Sequence, residues 1–206
     1  PAGPSEAVVL TDATADPRIV AADLLCQAEH GPDSPVVLVC ESRETANSVL
    51  EAATALLIRL TRSDTIVASL ENHGAVVIGT DLADRITFVN DYAPEHTSIH
   101  TKDEGAVADQ VTQAGSVFVG RWSPESAGDY ATGANHVLPT GGLARSYGPL
   151  SVEDFGSYRQ VQTLTREGLK TLSPTITALA GAEGLDAHAL AVTIRFEEAG
   201  RLEEQS

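Results

Sequence analysis

Basic residues are scarce in this chain, 13 against 29 acidic ones among 206, and the net charge of −16 repels phosphate backbones and anionic lipid surfaces at long range. Nucleic-acid and membrane partners are thereby excluded. Long apolar runs are also missing: residues 36–40 and 75–78 fall far short of the ~20 residues that a membrane span needs. Cysteine occurs only at Cys26 and Cys40, too seldom for a disulfide framework. Each lies in an apolar stretch where a buried free thiol is usual, and a cytoplasmic location is expected. Aromatics, at 4%, leave the core to Val, Leu, Ile and Ala. Pro1-Ala2-Gly3-Pro4 offers neither a basic nor an apolar region, so no secretory leader is expected. Methionine is absent altogether. A natural reading frame supplies an initiator, and the chain is therefore expected to be a piece of a longer polypeptide.

What is present describes a globular protein of one to two domains, 42% hydrophobic and 20% charged. Continuous apolar runs at 7–10 and 36–40 predict buried parallel strands. Between them Asp16 can cap a helix opened by Pro17, carried by Ile19, Val20, Leu24 and Leu25, and stopped by Gly31-Pro32 after His30. Helices are predicted over 42–60 and 81–92, and strands over 75–80 and 116–119. This alternation predicts an α/β fold, an incomplete Rossmann-like layered domain with a parallel sheet and ligand sites beyond the strand ends. Residues 120–149 hold six glycines and three prolines and read as one long loop. Helical patterns follow at 161–172, 174–182 and 186–198, then an acidic tail. The expected division is an α/β domain over 1–149 and a small C-terminal helical domain over 150–206.

Several polar residues could carry chemistry. Gln27 and His30 lie three apart near the end of the first helix and project from one face, which we place at the carboxyl edge of the sheet. Imidazole is a common zinc ligand and a carboxamide oxygen a rarer one, although a histidine at a helix C-terminus also suits the helix dipole. Glu95-His96, after Pro94, is a plausible acid/base pair or a solvated loop. Asp129 and His136 sit in the glycine-rich stretch, where the carboxylate could complete a metal site or make a turn, and the imidazole could cap backbone. Glu183 and His188 bracket the start of the last helix. His73 and His100 read as structural or surface residues. No GxGxxG follows a strand anywhere.

Taken together, several segments resemble the histidinol dehydrogenase family: Pro1 to Glu6, Ala22 to His30, Asn90-Asp91-Tyr92-Ala93-Pro94-Glu95-His96, Ala114 to Gly120, Gly128-Asp129-Tyr130, Asn135 to Gly142, and Gly184-Leu185-Asp186-Ala187-His188. The resemblance implies one Zn2+ per subunit held by Gln27, His30, Asp129 and His188, with His188 supplied across a homodimer with shared active sites. It implies Glu95 and His96 as the acid/base pair. Ser5, His136 and Glu183 join these residues in contacting the substrate. The implied activity is the last step of histidine biosynthesis, oxidation of L-histidinol through L-histidinal to L-histidine with NAD. The family's N-terminal portion, expected to hold most NAD contacts, has no counterpart in this chain. Two other readings stand beside this one: a zinc-dependent dehydrogenase of another hydroxylated substrate, and a zinc-binding, dimerising remnant without catalysis.

Overall fold

A computed structural model describes residues 3–203, with side chains through residue 197; Pro1-Ala2 of the first motif and the expected acidic tail lie outside the described side chains. The chain divides into two compact units, Pro1–Gly156 and Ser157–Ser206.

In the first unit, β1 (Ala7–Thr11) and β2 (Val36–Cys40) are buried along their whole length, as unbroken apolar runs require. Helix α1 (Pro17–Ala28) joins them. Asp16 caps it by accepting from the Arg18 N–H at 3.0 Å, and Pro17 occupies the first turn, where a missing N–H costs nothing. Helix α2 (Arg43–Leu57) is capped by Ser42, whose hydroxyl accepts from the Thr45 N–H at 3.1 Å. It ends earlier than its pattern suggests, and a separate α3 (Ser63–His73), not foreseen from the sequence, leads into edge strand β3 (Gly74–Ile78). The apolar stripe of α3 is short; it is anchored by buried Ile66 and by the Ser69 hydroxyl donating to Ser34 O at 2.7 Å. Then come α4 (Leu82–Tyr92), β4 (His96–His100), α5 (Glu104–Ala108), β5 (Ser116–Val119) and α6 (Glu125–Tyr130).

The five strands are all parallel, in the order β3-β2-β1-β4-β5. That is the Rossmann-like order with its reversal between β1 and β4. One face packs Val9 and Leu38 against Leu24, Val49 and Ile66 of α1–α3, and the other packs Val8, Leu10 and Ile99 against Ile86, Val89 and Val107 of α4 and α5. Strand β4 escapes a reading based on hydropathy. His-Thr-Ser-Ile-His has a single aliphatic residue, yet every position is buried because β1 and β5 flank it.

Parallel strands also correct the expected position of Gln27 and His30. Each connecting helix must return the chain to the start of the next strand, so the end of α1 lies at the amino edge of the sheet, not the carboxyl edge. The stretch 120–149 is likewise not one loop. It contains α6, which puts Asp129 on a helix rather than in a turn, and a 3₁₀ turn at Leu143–Arg145.

The second unit holds α7 (Arg166–Glu183) and α8 (Asp186–Glu203), packed on each other. The two helices expected over 161–182 are one. Thr165 starts it by capping the Gly168 N–H at 3.1 Å, leaving 161–165 exposed and irregular, and Pro174 is accommodated inside it. Gly184, at φ 71°, ends α7 in a left-handed turn closed by Leu185 N donating to Ala180 O at 2.8 Å.

Candidate active site

The amino edge of β1 and β4 is assembled from backbone contacts between distant motifs. The His96 N–H donates to Glu6 O at 3.2 Å, and the Glu6 N–H donates to Glu95 Oε2 at 3.1 Å. Next to them the Ser116 N–H donates to Glu95 O at 2.8 Å. Gly115 permits this approach, since a Cβ there would lie 2.7 Å from Glu95 O. Buried Ala93, left-handed at φ 52°, turns the chain from α4 into Pro94-Glu95, a conformation costing about 1–2 kcal/mol for a residue with a Cβ. Glu6 then ties down a neighbouring loop: its Oε1 accepts from the Gly141 N–H at 2.8 Å and its Oε2 from the Tyr92 hydroxyl at 3.4 Å. Arg145 donates to Asp91 O from the same loop. Gly141 and Gly142 both have positive φ, 63° and 78°, which explains the paired glycines of that motif. The Asn90–Tyr92 and Thr140–Gly142 segments are thus the site's scaffold.

On this floor stand the chemical groups. Gln27 is fully buried; its Oε1 accepts from the Ser5 hydroxyl at 3.4 Å, and its Nε2 has no partner. His30, exposed just past α1, places Nδ1 3.3 Å from Gln27 O, so a proton held there leaves Nε2 open. From α6, which packs on α1, Glu125 and Asp129 project one turn apart. Ligand atoms of His30, Glu125 and Asp129 lie within 4.8 Å of one another. His96 is 3% exposed, its ring 5.8 Å from that of Phe118, and Nδ1 stands 3.8 Å from Glu95 Oε2 and 3.9 Å from Glu125 Oε1. Gly128 lets α6 reach Phe118, since a Cβ there would lie 2.7 Å from the ring.

Burial dominates the electrostatics. It lowers His96 to about 4 despite the pull of Asp129, so the ring is neutral at physiological pH. It raises Glu95 above the usual carboxylate range, against the Ser5 hydroxyl and Glu6 N–H that favour the charged form. Glu125 is pushed up to about 8 by burial and then by the negative charge of Asp129, Asp23 and Glu95. Cys26 is pushed to about 12, mainly by burial, and stays an unreactive thiol.

Eight buried polar side-chain atoms lack a hydrogen bond among the described residues, and four of them gather here: Gln27 Nε2, both His96 ring nitrogens and Glu125 Oε1. Native proteins leave such groups unpaired where a ligand completes them. The His30 nitrogen and the carboxylate oxygens are borderline-to-hard donors of the kind zinc takes, and a cation would relieve the crowding of negative charge, so the residues fit zinc.

Among the sequence-derived candidates, Ser5, Gln27, His30, Glu95, His96 and Asp129 converge at this edge. His136 does not join them: it is exposed, no hydrogen bond ties it to the cluster, and the local cap is Asn135, accepting from the Val137 N–H at 2.8 Å. Glu183 ends α7 and His188 lies in α8, both exposed within the second unit. Glu125 was missed; its only signal is the i, i+4 spacing to Asp129 in a stretch that reads as a loop.

The carboxyl edge, where doubly wound folds hold dinucleotides, does not fit NAD. Its β1–α1 turn, residues 12–16, contains no glycine. Asp12 and Asp16 already accept the Thr14, Lys102 and Arg18 N–H groups that could otherwise face a phosphate.

A doubly wound domain with a buried histidine–carboxylate pair beside a nitrogen and oxygen donor cluster has groups suited to acid/base chemistry and to holding a metal. Comparison with known proteins narrows this class. The histidinol dehydrogenase family profile matches residues 1–196, and the chain belongs to that family. It is 49% identical over 198 residues to histidinol dehydrogenase of Vibrio parahaemolyticus, covering 96% of this chain and 46% of the relative. The Halobacterium salinarum enzyme is 48% identical over 198 residues, with 96% and 47% covered. The crystal structure of histidinol dehydrogenase from Elizabethkingia anophelis matches with a TM-score of 0.90 at 40% identity, covering 97% of this chain and 46% of that one. The chain spans about half the length of the curated relatives it matches.

Proposed function

We propose that this chain forms the metal-binding and acid/base half of an NAD-dependent histidinol dehydrogenase, oxidising L-histidinol through L-histidinal to L-histidine. The observation that carries the reading is the cluster of His30 and Asp129 with Glu125, near Ser5-bonded Gln27 and beside Glu95 and His96, whose ring nitrogens are buried and unpartnered. Gln27, His30 and Asp129 would hold zinc, with His188 of the partner subunit as the fourth ligand in a homodimer. Zinc bound there would orient the substrate through its imidazole and amino nitrogens, a positioning role.

The chain's own residues handle protons. In the first oxidation the alcohol can lose hydride only as its hydroxyl loses a proton, and neutral His96 takes that proton. An aldehyde must be hydrated before it can be oxidised again. Glu95, anchored by the Glu6 N–H and raised by burial, takes the proton of the attacking water. Ser5, bonded to Gln27, stands where it can contact the substrate, and His136 and Glu183 are assigned the same task by family resemblance. Most NAD contacts would come from the half of the family sequence outside this chain. A cytoplasmic location suits this biosynthetic role, and no described helix is long and apolar enough to cross a membrane.

Zinc analysis of the intact-length enzyme tests the reading. His30→Ala and Asp129→Ala are expected to lose stoichiometric zinc and, with it, histidinol-dependent NAD reduction. Full zinc content in either variant would remove that residue from the site.

A further inference from the structure

We propose that Glu125 is the positioning residue for His96: its carboxylate takes the Nδ1–H of the ring, which leaves the Nε2 lone pair as the base. The inference rests on the acid/base role of His96 given above. Two carboxylates flank Nδ1 at almost equal distance, Glu95 Oε2 at 3.8 Å and Glu125 Oε1 at 3.9 Å. They are not equally available. Glu95 Oε2 is committed to the Glu6 N–H, whereas Glu125 Oε1 is buried without any partner. Glu125 is also 1% exposed, and a small rotation of either side chain closes the gap to a hydrogen bond. Phe118 stands against the imidazole ring and limits its swing.

The helix that carries Glu125 gives the arrangement a purpose. Glu125 and Asp129 share one face of α6, so this short helix delivers both carboxylates to the cluster around His30, and Glu125 Oε1 also reaches toward the base. A nitrogen-bound proton on the wrong side would turn His96 from acceptor into donor toward the substrate. An acceptor at Nδ1 prevents this, as the buried aspartate does in serine hydrolases.

The tautomer of His96 can be read by 15N NMR of the zinc-loaded chain with labelled histidine; His96→Asn assigns the signals. The wild-type ring is expected as Nδ1–H. Glu125→Met, similar in volume but without an oxygen acceptor, is expected to revert to the Nε2–H form that free imidazole prefers, while zinc binding and the backbone amide spectrum are retained. Glu125→Gln, whose amide oxygen can still accept, is expected to keep Nδ1–H. An Nε2–H ring in the wild-type chain overturns the proposal without any variant. So does Glu125→Met that keeps Nδ1–H, and loss of zinc with an unmoved tautomer would make Glu125 a metal ligand instead. Because no substrate is needed, this readout stands apart from histidinol turnover, whose absence would count against the proposed activity rather than against Glu125.

Discussion

Strand β4 begins and ends with a buried histidine, and the two have opposite surroundings. At its carboxyl end His100 is bonded through Nε2 to Asp23 Oδ2 at 2.7 Å, with both side chains under a tenth exposed. Around that pair Thr11 donates to His100 O at 3.1 Å and Arg85 to Thr11 O at 2.9 Å. At its amino end His96 is as deeply buried, but neither ring nitrogen has a partner. A histidine held by a short hydrogen bond to a buried carboxylate serves the fold. One that is buried, neutral and unpaired costs stability and is retained for what it does to a ligand.

The largest expected effect is on catalysis at the amino edge. Replacing Glu95 by Gln or His96 by Asn in the intact-length enzyme is expected to lower turnover by about 10²–10⁴ while zinc content and fold are kept. Glu95→Gln should be most impaired with histidinal as substrate. Steady-state rates with both substrates check this, and near-normal turnover of both would erase the contrast between the two histidines.

A smaller effect is expected one residue removed from the chemistry. The Cβ added by Gly115→Ala meets the Glu95 carbonyl at 2.7 Å and Pro139 at 3.3 Å, so the backbone must shift. We expect a loss of about 1–3 kcal/mol in urea unfolding together with reduced turnover. A stable variant with unchanged rates would show that Glu95 needs no exact seat.

The smallest effect concerns the scaffold beneath the site. Burial, with Glu6 beside it, pushes the Tyr92 hydroxyl up to about 12, whereas Tyr130, Tyr147 and Tyr158 are exposed. Between about pH 10 and 12 the folded chain therefore retains a proton that the unfolded chain has lost, and stability falls as pH rises. Ultraviolet titration of phenolate should show one late-titrating tyrosine among the four, and Tyr92→Phe should remove it.

The sequence makes some of this architecture legible and hides the rest for physical reasons. The apolar runs of β1 and β2 and the Asp16-Pro17 start of α1 announce themselves, because burial on both faces and helix capping leave local signatures. Strand β4 does not, since its polar residues are buried by neighbours that only the tertiary fold supplies. Gln27, His30, Glu95, His96 and Asp129 are visible as chemistry-bearing types, but each pair alone is as easily structural; their meeting at one edge depends on the strand order. That edge was itself misjudged for Gln27 and His30, although parallel strands dictate where a crossover helix must end. Glu125 stayed hidden because α6 is one short helix within a glycine- and proline-rich stretch.

The contrast between the two ends of β4 is tested most directly by urea unfolding of the metal-free chain carrying His96→Leu or His100→Leu, substitutions of similar volume. His100→Leu strands Asp23 in the interior and is expected to cost about 3–5 kcal/mol. His96→Leu removes one nitrogen that has no partner and the long 3.9 Å contact of the other with Glu125, and is expected to cost no more than about 1 kcal/mol. If His96→Leu destabilises the chain as much as His100→Leu, the amino-edge histidine is a structural residue and the account given for it is wrong.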